Sequence, residues 1–121
     1  MIFVFSWGYV MKKEFRIKKS SEIERILDKR NSVGNSHFSL YKKENHELSH
    51  FRFAISVSKK FGGSVERNLL KRRVRDIVKE HQFLTFIEFF IIAKPAANQL
   101  TYQEIKSDLE KLFARAKILE V

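Results

Sequence analysis

Residues 51–81 read FRFAISVSKKFGGSVERNLLKRRVRDIVKEH, and the fold turns on how that stretch divides. Its first eight residues alternate. Phe51, Phe53, Ile55 and Val57 form one face and Arg52, Ala54, Ser56 and Ser58 the other, the period of a strand with one apolar side. Lys59-Lys60-Phe61-Gly62-Gly63 breaks the alternation and predicts a turn, with Ser64 placed to cap a helix reaching about His81. There the period lengthens to that of a helix. Leu70, Val74, Ile77 and Val78 fall within an arc of roughly 100°, a stripe that faces a core. Arg67, Asn68, Lys71, Arg72, Arg75 and Lys79 occupy a second arc of roughly 140° that contains no acid.

Outward from this unit the same two periods recur. His37–Lys43 alternates, with Phe38 and Leu40 on one side and Ser39 and Tyr41 on the other. The polar Glu44–His50 between two alternating runs predicts a hairpin connection, which makes the two strands neighbours. Upstream, Ser21-x-x-Glu24 reads as a capping box followed by Ile23, Ile26 and Leu27 at helical spacing. That helix is expected to run to about Arg30, where Asn31, Ser32 and Gly34 break it. Downstream, Phe86–Ala93 is almost continuously apolar and stops at Pro95, as a buried strand does. Thr101-x-x-Glu104 is a second capping box, opening a helix with Ile105, Leu109, Leu112 and Ala116 on one stripe and Phe113 beside it. The order is α-β-β-α-β-α, a small single α+β domain. The polar side of the two alternating strands has two readings: plain solvent exposure, or a shallow floor for an extended ligand.

The chain has 121 residues, enough for one domain, and a 44% hydrophobic share with 12 Phe can bury a core. Cysteine is absent, which excludes a disulfide framework, a cysteine nucleophile and a thiolate zinc site. The first ten residues, MIFVFSWGYV, carry no charge. They are too few to span a bilayer, which takes about 20. Lys12 and Lys13 follow the apolar run, whereas a signal peptide puts its positive residues first. We expect residues 1–10 to be an extension, from a start upstream of Met11, and residues 11–121 to be the functional domain; an ordered edge strand is the competing reading.

Lys and Arg number 24 against 14 Asp and Glu, a formal net charge of +10. Lys59 to Arg75 holds seven of those bases and one acid, so +6 of the +10 lies in that segment. Such a face is either simply solvated or waits for an anion. Arg67, Lys71 and Arg75 repel one another at successive i, i+4 positions, a cost that an anionic partner removes. Arginine forks and an asparagine also suit phosphate oxygens and base edges. Nucleic acid is the expected partner, with no membrane role.

The segment Phe53-Ala54-Ile55-Ser56-Val57-Ser58-Lys59-Lys60-Phe61-Gly62, followed by Arg67-Asn68-x-x-Lys71-Arg72-x-x-Arg75, resembles the bacterial ribonuclease P protein subunit. The likeness extends from about Phe15 to Ala116 and takes in Arg16-Ile17-Lys18-Lys19, Ile91-Ile92-Ala93-Lys94-Pro95-Ala96 and Leu100-Thr101-Tyr102. Gly63-Ser64 stands where the family usually has Asn-Ala, and Ile23 where relatives often have Phe. The resemblance implies a mixed sheet with a left-handed βαβ crossover, the ribosomal protein S5 domain 2-like fold. It implies a cytoplasmic, non-catalytic subunit of an endonuclease whose catalytic RNA, with bound Mg²⁺, removes the 5′ leader of precursor tRNA. It places Lys59, Lys60, Arg67, Asn68, Lys71, Arg72 and Arg75 on the face toward RNA. Ile23, Leu27, Ser39, Tyr41 and Phe113 would line a cleft for the single-stranded leader. No catalytic residue, metal ligand or protein-bound cofactor is implied.

Two rivals remain at this level. A self-sufficient nuclease needs a carboxylate cluster or an acid–base histidine pair, and His46-x-x-x-His50 beside Glu47 is the nearest approach. A structural RNA-binding protein of ribosomal type shares the composition and charge, and only the order of the motifs argues against it.

Overall fold

The computed structural model describes residues 15–120. In chain order its elements are α1 (Ser20–Asp28), β1 (Ser32–Gly34), β2 (Phe38–Glu44), β3 (Arg52–Val57), α2 (Ser64–Lys79), β4 (Ile87–Ala93) and α3 (Tyr102–Ala116). The expectation for residues 1–10 lies outside the described residues.

The four strands form one mixed sheet in the order β1-β2-β4-β3. β4 sits inside because every residue but Ile92 is buried, and only a central strand covered on both faces satisfies such a run. It pairs antiparallel with β2, from Phe38 opposite Ala93 to Glu44 opposite Ile87. It pairs parallel with β3, from Arg52 opposite Glu88 to Val57 opposite Ala93. The expected hairpin between β2 and β3 is therefore not formed. Residues 45–51 instead carry the chain past β4, across two strand spacings or about 9.5 Å. Alternation located both strands correctly but says nothing of which strand lies beside which.

Boundaries shifted where capping chemistry was misread. α1 begins at Ser20 with Lys19 in the cap position and no side-chain cap bond, so Ser21 lies inside the first turn and no capping box forms. The helix stops at Asp28, and Arg30 takes a left-handed φ of 54°. Gly63, not Ser64, is the N-cap of α2. The second box is formed as expected: the Glu104 amide donates to Thr101 Oγ1 (3.2 Å) and the Thr101 amide to Glu104 Oε1 (2.8 Å). Lys117 at φ 58° ends α3 and turns Ile118 back into the core.

The larger core lies on one face of the sheet. Phe53, Phe89, Leu40 and Ile91 meet Leu70, Val74, Ile77 and Val78 of α2 and Ile105, Leu109 and Leu112 of α3. Phe113 belongs here. It has no exposed surface and meets Phe83 (5.1 Å, 84°) and Phe89 (6.1 Å, 64°) edge to face. A smaller core on the opposite face holds Ile17, Ile26, Ala54 and Phe90, with Ile23, Leu27, Tyr41 and Ile92 half-buried around it.

Candidate RNA-binding surface

The sheet face under α1 is built of three cross-strand rows, because side chains of one face recur every second residue. The first row is charged, Lys43–Glu88–Arg52; the second is Tyr41–Phe90–Ala54; the third is Ser39–Ile92–Ser56. α1 covers the first two. Ile26 is fully buried within the cluster of Phe90 and Ala54, while Glu22 reaches the charged row. Both guanidinium nitrogens of Arg52 donate to Glu22 at 3.0 Å, and Nη1 also donates to Glu88 at 3.2 Å. Lys43 Nζ lies 3.6 Å from the second oxygen of Glu88, which is itself 4% exposed. The hydrogen bond from Arg52, above all, holds the Glu22 carboxyl below the usual carboxylate range. The third row stays open: Ser56 is exposed, and Ser39 and Ile92 are half-buried.

The structure thus brings Ile23, Leu27 and Tyr41 together at a groove floored by Ile92, with Ser39 in the adjoining row. Phe113 is not there. Its packing partner Phe89 points away from the Tyr41 face, so the sheet separates Phe113 from the groove. Ile92 and Ser56 complete the floor and were not singled out in the sequence, since a continuous apolar run conceals which of its residues face outward.

The second part of the surface is the outward side of α2 with the turn before it. Ser58 Oγ accepts from the Lys60 amide (3.2 Å), and buried Phe61 anchors the turn from below, which leaves Lys59 and Lys60 exposed. Asn68 and Arg72 are exposed, and Arg67, Lys71 and Arg75 are half-buried. The Arg67 Nε–H donates to the Gly62 carbonyl oxygen (3.2 Å), which ties the helix to its own turn. Among the described residues no carboxylate lies within 4.0 Å of Arg67, Lys71, Arg72 or Arg75. Lys79, on the same arc, differs: it pairs with Asp76 at 3.4 Å. At the far end of the arc Arg75 shares a cavity with Ile23, so the basic face and the α1 groove adjoin.

The histidine pair does not assemble an acid–base site. His46 stacks on Phe86 and approaches Glu44 (3.1 Å), while His50 packs on Phe15 and contacts the Phe51 carbonyl (2.9 Å). Among the described residues no three His, Asp or Glu side chains gather as a metal site would require, and no helix is long and apolar enough to cross a membrane.

A family model described as Ribonuclease P matches residues 11–117. This chain belongs to the ribonuclease P protein family. It is 41% identical over 112 residues to the ribonuclease P protein component of Limosilactobacillus reuteri, covering 91% of this chain and 96% of that protein. Against the ribonuclease P protein component of Acholeplasma laidlawii it is 40% identical over 114 residues, with the same coverage of both chains. The solved RNase P protein of Staphylococcus aureus matches with a TM-score of 0.81 and 38% identity, over 88% of this chain and 98% of that one. The RNase P protein of Thermotoga maritima shares the fold at a TM-score of 0.74. An α+β domain with three helices and a four-stranded mixed sheet is what this family builds, and the ribonuclease P reading of residues 53–75 agrees with it.

Proposed function

We propose that this chain is the RNA-binding protein subunit of a ribonuclease P holoenzyme, gripping the catalytic RNA with α2 and the 5′ leader of precursor tRNA with the groove under α1. The observation that carries the reading is a basic face left without carboxylates and adjoining an open, mostly apolar groove. Arg67, Asn68, Lys71, Arg72 and Arg75, with Lys59 and Lys60 at the turn, meet RNA phosphates. Their repulsion is relieved when the phosphates arrive and counterions leave. Ile23, Leu27, Ser39 and Tyr41 receive unpaired nucleotides of the leader, with the Tyr41 ring available for stacking. Phe113 takes no part.

The holoenzyme cleaves a phosphodiester bond of precursor tRNA in the cytoplasm, and the chemistry with its Mg²⁺ belongs to the RNA. The protein supplies grip and a favourable field. Its contribution depends on salt, since each phosphate contact adds about 0.7 to 0.9 to the slope of log affinity against log salt.

The test is reconstitution with the catalytic RNA and precursor tRNAs of graded leader length. Wild-type protein should raise affinity for leaders of several nucleotides and leave mature tRNA almost unaffected. Tyr41→Ala should remove about 1–3 kcal/mol of the leader-dependent part. Equal affinity of wild type and Tyr41→Ala for every leader would refute the groove assignment, and cleavage by RNA-free protein would refute the subunit reading.

A further inference from the structure

Where residues 15–18 leave the edge of β3 and turn toward α1, they enclose a cavity of about 200 Å³ against α2. Arg16, Lys18 and Arg75 line it together with Ile17, Ile23 and Ala54, and no acid is among its lining residues. Arg16 is fixed by the backbone. It pairs with Phe53 in a parallel bridge, and the next amide, that of Ile17, donates to the Phe53 carbonyl at 2.9 Å. The Nε–H of Arg16 is fully buried and has no acceptor; no other side-chain nitrogen or oxygen among the described residues is so placed. A buried cationic donor without a partner is costly, so such a group is the exception in folded proteins. Arg75 reaches the cavity from α2. Burial, and then the charge of Arg16, hold its guanidinium below the ordinary arginine range.

Two guanidiniums turned to one cavity without a carboxylate define the missing partner. A water molecule accepts from Arg16 Nε but leaves the repulsion between Arg16 and Arg75 unchanged. A small anion with several acceptor oxygens answers both, and the planar fork of arginine fits phosphate oxygens two at a time. We propose that this cavity binds one phosphodiester group of an RNA strand, with Arg16 and Arg75 as its guanidinium donors and Lys18 at its mouth. The inference rests on the RNA-binding reading above and adds to it a site outside the basic arc of α2. Its place is informative, because Ile23 belongs both to the cavity and to the α1 wall of the groove. A strand lying in the groove reaches the cavity with its backbone, and so does a strand lying along α2.

Both sources offer the same phosphodiester, and two arms separate them. In one, wild-type and Arg16→Met proteins are titrated with the catalytic RNA at several salt concentrations. In the other, holoenzymes reconstituted with each protein bind precursor tRNAs that carry a single uncharged methylphosphonate at successive leader positions. Arg16→Met should weaken binding about ten-fold in one arm and flatten that arm's salt slope by about 0.7. If the phosphate is the leader's, one methylphosphonate position should weaken wild type about ten-fold and leave Arg16→Met no weaker than before.

Arg16→Lys guards against a folding artefact. It keeps the charge and therefore the slope, but lacks the Nε–H and so should still lose affinity. Wild-type affinity and slope for Arg16→Met in both arms would overturn the site. Arg72→Ala, measured alongside, distinguishes the failures: if it weakens binding where Arg16→Met does not, only the cavity assignment is wrong. If neither variant changes anything, the RNA-binding face itself is wrong.

Discussion

Two charged regions lie close together on this domain and are organised in opposite ways. In the row Lys43–Glu88–Arg52, completed by Glu22 of α1, every charge faces an opposite one at 3.0 to 3.6 Å, and Glu88 is 4% exposed. Along α2, Arg67, Lys71, Arg72 and Arg75 have no carboxylate partner among the described residues. The first region holds α1 to the sheet. The second leaves its field open to solvent and to polyanions. A net charge of +10 does not separate these cases, whereas the pairing of individual cations does.

The contrast predicts that loss of an arginine has different consequences in the two regions. Arg52→Ala should destabilise the fold by about 3 kcal/mol, because it strips a buried carboxylate of its main partner and releases Glu22. Urea unfolding reads this as a lower midpoint with an unchanged slope. A loss well under 1 kcal/mol would make the row an ordinary surface cluster. Arg72→Ala should leave stability within about 0.5 kcal/mol of wild type. It should nonetheless weaken RNA binding about ten-fold and flatten the salt slope by about 0.7 to 0.9. An unchanged slope would remove Arg72 from the interface.

The basic arc of α2 was legible in the sequence because helical periodicity sorts side chains by face without reference to other elements. The same holds for the Thr101 capping box and the core stripe of α3. What was not legible depends on partners distant in sequence. β4 reads as buried, but its insertion between β2 and β3 is a matter of topology, so the hairpin was expected in its place. β1 has three residues, too few to show a period. Phe113 was placed in the groove through family likeness, while its helix stripe was compatible with the core, where three aromatic rings surround it. Arg16 belongs to the matched segment, yet nothing local shows that a single bridge to Phe53 turns it toward Arg75.

The smallest expected effect concerns pH and sharpens the comparison from the paired side. Glu22 has a depressed pKa in the folded protein, chiefly through its hydrogen bond from Arg52. A carboxyl whose pKa is lower in the native state binds more protons unfolded, so its stabilising contribution is complete above the ordinary carboxylate range. It fades as pH falls through that range and is gone below the depressed native value. Arg52 stays charged throughout and adds no pH dependence of its own. Wild type should therefore exceed Glu22→Gln in stability at pH 7, and the gap should close between about pH 5 and pH 3. Chemical denaturation at several pH values measures it. The gap should be modest because Glu22 is partly exposed, and a gap of constant size across that range would show that the Arg52–Glu22 contact acts through packing rather than charge.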